Sequence, residues 1–267
     1  MRNARRSLAF ALISMSIGCG GGGSSDKAAP PTALTPTPSP APTPAPNQQV
    51  GNVHSYDVDA ALLALFSGQF PEGKATARID GLSFDLKVTP RGVGPNAAPP
   101  MGSTAPLPTY RSSYVSLQLT ASGFSEAHDL GHLFERAPTR LVGATMNTAF
   151  MPTIYADASN PTPIPPTAAA VGDSQEMLRG PRYEQDYSAG FDKPPIRVPL
   201  PGYLARGWRL EPDTSDAAFL CLTDELDEGT SKGTDDYCFS ILPDGRPTGR
   251  FRATITDTDT GLRHEFE

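Results

Sequence analysis

Asp80-Gly81 stands between two runs in which apolar and polar residues take turns. Ala75, Ala77 and Ile79 alternate with Lys74, Thr76 and Arg78 before it; Leu82, Phe84, Leu86 and Val88 alternate with polar residues after it. A period of two places one face of a strand in a core and the other in water. Asp-Gly supplies the two positive-φ residues of a type I′ turn, so residues 74–88 are predicted to form an antiparallel hairpin.

The alternation recurs down the chain. Residues 110–120 carry Arg111, Ser113, Val115, Leu117 and Leu119 on one face. Residues 139–155 are apolar enough for two short strands. Residues 177–187 and 195–200 are weaker candidates, and the prolines at 194, 195, 199 and 201 place the second at a sheet edge. Residues 203–210, 217–223, 237–242, 250–257 and 262–266 follow closely, with turn signals at Pro243-Asp244-Gly245 and Asp259-Thr260-Gly261. Nine to eleven short strands predict a mainly β fold, an antiparallel β-sandwich or open barrel. One short N-terminal helix is expected over residues 57–68. Asp57 caps it, Val58, Leu62, Leu65 and Phe66 share a face, and Gly68 suits the residue after the end.

The first 47 residues are of another kind. Arg2, Arg5 and Arg6 precede a weakly polar to apolar run over residues 7–18, the layout of an export signal. That run has 12 residues, short of the ~20 that a membrane-crossing helix needs. Residues 27–47 alternate proline with Ala, Thr and Ser, which removes backbone donors and favours an extended spacer of about 65 Å. The domains are therefore read as a signal peptide over 1–18, a Gly/Ser/Pro-rich tether over 19–47 and a β-rich domain over 48–267.

Charge narrows the partners. Three of the 22 basic residues leave with the signal, so 19 face 29 acidic ones. No cluster of cations remains, which argues against nucleic acid and against electrostatic docking on anionic lipid. Of the three cysteines, Cys19 directly follows the export signal, while Cys221 and Cys238 lie in consecutive predicted strands. An exported chain folds in an oxidising compartment, so Cys221 and Cys238 are expected to pair. The bridge closes an 18-residue loop, about 3 kcal/mol in the chain-entropy account.

Ser16-Ile17-Gly18-Cys19 resembles the lipobox of bacterial lipoproteins, and Gly20 to Ser25 resembles the flexible start that follows it. The alternative is a general secretory signal cut at the same small residues. Several pieces resemble, loosely, an uncharacterised group of proteobacterial lipoproteins. They are Cys19 with its Gly/Ser tail, the Pro/Thr spacer, Val171-Gly172-Asp173-Ser174, Trp208-Arg209-Leu210-Glu211, Phe219-Leu220-Cys221-Leu222 and Tyr237-Cys238. The resemblance implies lipidation at Cys19 and attachment to a membrane through the acyl chains. Gly20 in place of the Asp that retains enteric lipoproteins points to the outer membrane. The group brings no activity with it.

Chemistry-bearing residues are sparse. His128 and His132 are four apart and would share a helix face able to hold zinc, with Glu126 or Glu135 as a third ligand. The plainer alternative, which is preferred, is a polar loop with two solvated histidines. The acidic stretch 224–236 could gather calcium, but it lacks the spacing that wraps one ion, so a solvated hairpin tip is expected. Asp257-Thr258-Asp259-Thr260-Gly261 contains one Asp-Thr-Gly, where aspartic proteases need two. Gly172-Asp173-Ser174 stands in a β context foreign to the lipases it resembles. The expectation is a non-enzymatic structural or binding domain without a cofactor, its protein or small-ligand partner unspecified. The alternatives are a carrier with a cavity in the barrel and, less favoured, a metal-dependent hydrolase using His128 and His132.

Overall fold

Asp80 and Gly81 both take positive φ, 52° and 81°, and Ile79 faces Leu82 across them. The predicted hairpin is formed by β1 (Gly73–Ile79) and β2 (Leu82–Gly92). The computed structural model describes residues 54–92, 110–136, 138–148, 151–157, 163–186, 196–229, 231–256 and 261–267.

Ten further strands follow. They are β3 (Tyr110–Ala121), β4 (Phe124–Arg136), β5 (Thr139–Thr148), β6 (Met151–Asp157) and β7 (Ser174–Asp186). Then come β8 (Ile196–Thr214), β9 (Ala217–Asp227), β10 (Lys232–Ile241), β11 (Pro247–Thr256) and β12 (Arg263–Phe266). Each strand pairs antiparallel with the next, so the spatial order is the chain order, β1 to β12. The sheet curls until its ends meet: Thr76 and Glu267 exchange both main-chain hydrogen bonds, at 2.9 and 3.1 Å. Among the described residues that pair alone bonds the last strand's end to β1, and the ring stays open. Below it β1 lies directly against β11, where Gly73 leaves room for Phe251; a Cβ there would stand 2.4 Å from the ring.

The fold is mainly β and antiparallel, of the sandwich or open-barrel kind, with one short helix. Three readings of the chain need correction. Residues 124–136 form a strand, not a loop. The candidates at 195–200 and 203–210 are one strand, β8, of 19 residues. Its edge character is local: residues 196–199 pair with β7 alone, while from Tyr203 onward β9 lies on the other side.

Helix α1 (Val58–Phe66) buries Val58, Ala61, Leu62, Leu65 and Phe66. The Asp57 side chain accepts from the Ala60 N–H at 2.9 Å, and Gly68 leaves the helix at φ 71°. Asp57→Ala is expected to cost about 1 kcal/mol, read as a lower urea midpoint with unchanged slope. Val58 and Asp59 donate their N–H groups to Pro166 O, Asp59 accepts from the Thr139 N–H at 3.1 Å, and Asp57 donates to Pro243 O. Gly245 of the β10–β11 turn touches the same end; a Cβ there would meet Asp57 O at 2.8 Å. At the other end Gly68 abuts Gly92. All these partners lie at the same end of the meander, so α1 closes that end. Its side chains join the core that runs from β1 to β12. Each large apolar side chain so buried contributes about 1.5–3 kcal/mol.

Candidate functional site

On the inner face of β8 Leu204, Arg206, Trp208 and Leu210 follow one another at a spacing of two. Arg206 occupies a position where the pattern calls for an apolar residue. Asp224 faces it in β9 and Asp235 faces Asp224 in β10, so three ionisable residues form one row across three strands. Arg206 is 2% exposed. It grips Asp224 with two nitrogens, Nε at 2.7 Å and Nη2 at 3.0 Å. Its remaining reach crosses the interior, to Gly131 O in β4 and to Thr145 O in β5 at 3.3 Å. One side chain thus ties β8 and β9 to the facing β4 and β5, which makes the curled sheet two layers.

Asp235 accepts from the Thr256 N–H at 2.9 Å and from the Tyr237 hydroxyl at 3.4 Å. Burial raises its pKa to about 7, and the carboxylates of Asp224 and Asp236 add to the rise. Burial also raises Asp224, against the pull of Arg206. Tyr237 is held neutral, its pKa pushed well up by burial and by the Asp235 carboxylate. Charged groups cost most where water is absent, which is the common cause.

The acidic stretch is thereby corrected. Only its two ends depart from a solvated hairpin tip: Asp224 and Asp236 are buried and ion-paired. Asp236 points outward from β10 and takes both Arg209 nitrogens at 2.6 and 2.9 Å, with Arg263 at 3.0 Å. Glu228 pairs with Arg182 at 3.0 Å. Asp224, Asp236 and Glu228 are thus committed to guanidiniums.

His128 and His132 lie in β4, on its inner face, and both are buried. The solvated-loop reading fails for both. The helical reading fails too. Four residues along a strand span about 13 Å, too far for two imidazoles to share one ion. His128 Nε2 instead meets Glu126 at 2.9 Å, and Glu135 pairs with Arg140. The His132 ring stacks on Phe66, centroids 4.6 Å apart. Burial lowers its pKa well below the usual value, and Arg206 lowers it further.

Cys221 and Cys238 face each other in β9 and β10 and are bonded. They lie on the outer face, yet are 0% and 3% exposed. Phe219 lies beside them, with Arg252 over its ring at 4.3 Å and Arg250 at 5.5 Å. Glu211 ties Arg209 to Arg252 above the bridge. Glu211 and the two sulfurs are close enough for a metal group among the described residues, but bonded sulfurs are not thiolate ligands. Gly172 takes φ 99° in the turn predicted at 171–174, and Asp173 caps that turn by accepting from Ala170. Residues 257–260, with most of the Asp-Thr-Gly stretch, fall outside the described residues, as does Cys19.

Two pockets of about 420 Å³ open on the exterior. One is bordered by Lys74, Asp85, Lys87, Gln118 and Glu267, the other by Arg111, Arg136 and the end of α1. No described helix is long and apolar enough to cross a membrane.

Fold and site together define a mainly β protein whose two layers are tied by one buried guanidinium and whose one end is closed by a helix. Comparison with family models, curated proteins and solved structures finds no match to this chain.

Proposed function

We propose that the chain is a cell-envelope lipoprotein, anchored through acylated Cys19 and presenting its β domain on the proline-rich tether as a non-enzymatic binding or structural module. The observation that carries this is the use of the cysteines. Cys221 and Cys238 are bonded to each other, as an oxidising compartment allows, and Cys19 is left alone behind an export signal. The outer membrane is the proposed site, from Gly20 after that cysteine.

The fold gives the display a direction. The chain enters at Tyr56, which pairs with Ala169 beside the start of α1. The β1–β2, β3–β4 and β9–β10 connections lie at the end opposite the start of α1. Partners are met there or on the sheet's flanks.

Cys19→Ser is expected to move most of the protein from the membrane fraction to the soluble fraction and to abolish labelling by a fatty-acid analogue. Two or three acyl chains hold a protein where one does not, at ~0.8 kcal/mol per buried CH₂. An intact mass of the native product without acyl chains would overturn the reading.

A further inference from the structure

Arg111 faces Phe134 across the β3–β4 pair, and Phe134 points into the core. Residues directly opposite each other share a face, and so do residues two apart on one strand. Arg111 and Arg136 therefore point to the inner side, as diagonal neighbours about 7–8 Å apart. Both border the pocket of about 420 Å³ at the C-terminal end of α1, with Ser67, Gly68 and Gly92. Gly68 and Gly92 bring α1 and β2 into backbone contact there; a Cβ on Gly92 would stand 2.3 Å from Ser67 O. The two arginine side chains form the rest of the border.

Among the described residues neither guanidinium has a carboxylate or a hydrogen-bond partner. Elsewhere in this acidic domain arginines are ion-paired, Arg182, Arg206 and Arg209 among them. The carboxylates on the adjoining segments are committed: Glu135 to Arg140, Asp59 to the Thr139 N–H, Glu72 to Lys74 and Lys87. Residues 93–109, between β2 and β3, contain no Asp or Glu, and neither do residues 137 and 138 between β4 and β5. Arg91, exposed beside Gly92, adds a third cation without a partner. Ser113, two residues in from Arg111 and paired with Gly92, keeps a buried hydroxyl without a partner.

The end of α1 does not balance these charges. A helix C-terminus carries about −0.5 of an elementary charge, so about 1.5 positive charges of the two guanidiniums are left over. One carboxylate would leave part of that surplus. A phosphate monoester carries about −1.5 to −2 near neutral pH and offers three acceptor oxygens. Guanidinium forks take such oxygens two at a time.

We propose that this corner binds the phosphate of a phosphomonoester, gripped between Arg111 and Arg136. The pocket lies within the ~300–1,000 Å³ of small-molecule sites, so part of the group that carries the phosphate also fits. The inference goes beyond the envelope reading and does not depend on the anchor at Cys19. No run of the sequence displays the site, because only the sheet gathers its residues from β2, β3 and β4.

The test is titration of the full chain with glycerol phosphate, inorganic phosphate and acetate at fixed ionic strength, followed by the arginine Nε–H signals in NMR. Both phosphates should shift the Arg111 and Arg136 signals saturably, with dissociation constants below about 10 mM, and acetate should bind at least about tenfold more weakly. Arg111→Gln and Arg136→Gln should each weaken binding about tenfold or more. Arg78→Gln, at an exposed position by the β1–β2 turn, should leave it unchanged. Binding should fall as pH drops through about 6, where the ester takes up its second proton while the arginines stay charged. Arginines with a merely structural role would show no such step. A short-chain phosphatidic acid that binds this site more tightly than glycerol phosphate assigns it to a lipid headgroup; equal or weaker binding assigns it to a soluble ester. Should Arg111→Gln fail to fold, Arg136→Gln, at an exposed position, decides. No saturable shift of the two signals below about 10 mM ester, acetate binding as tightly as the ester, or variants that bind like the wild type overturn the proposal.

Discussion

Asp224→Ala is expected to lower the unfolding free energy by about 3–5 kcal/mol, the loss typical when one partner of a buried ion pair is removed. Arg206 would keep its charge at 2% exposure with only Gly131 O and Thr145 O to meet it. The loss belongs to the stranded charge more than to the bond. The double change Arg206→Met with Asp224→Leu should therefore recover most of the stability, since apolar residues of similar volume fill such sites at little cost. Denaturant midpoints of the two variants measure this. A loss below about 1 kcal/mol in Asp224→Ala would mean that water reaches the row and that the layers are held by apolar packing alone.

The second large effect concerns the bridge. Cys221→Ala with Cys238→Ala is expected to cost about 3 kcal/mol for a separation of 17 residues, mainly by freeing the unfolded chain. The same bridge should resist reduction in the folded protein. Exchange needs a thiolate to reach a sulfur, and Cys221 and Cys238 are buried in a cluster with Phe219, over whose ring Arg250 and Arg252 lie. Alkylation and mass measurement after dithiothreitol should find no free thiol without denaturant and two with it. Rapid reduction of the native protein would show that the arginine cover opens.

What was legible in the chain was local. The β1–β2 hairpin follows from Asp80-Gly81 and its flanking alternation, because a two-residue turn with positive φ at both positions admits one register. Asp57, Gly68 and the apolar face between them specify α1 in the same way. β4 was missed because His128 and His132 sit on its inner face beside Leu130 and Phe134, and polar inner residues blur a period of two. The Arg206 row was missed for a related reason. Asp224 and Asp235 looked like the tip of a long acidic hairpin, whereas β9 and β10 run on past both. One signal was available: Arg206 shares its parity with Leu204, Trp208 and Leu210, and an inward arginine requires a buried carboxylate.

By itself, the sequence determined the β1–β2 hairpin, most of the other strands, the helix and the pairing of Cys221 with Cys238, since each depends on residues near one another along the chain. Only the tertiary structure decided which charges are enclosed, which end α1 closes and how far apart His128 and His132 stand. Those depend on how a curled sheet brings distant strands face to face. Burial, which sets the strength of every charge, is a property of that enclosure and not of any segment.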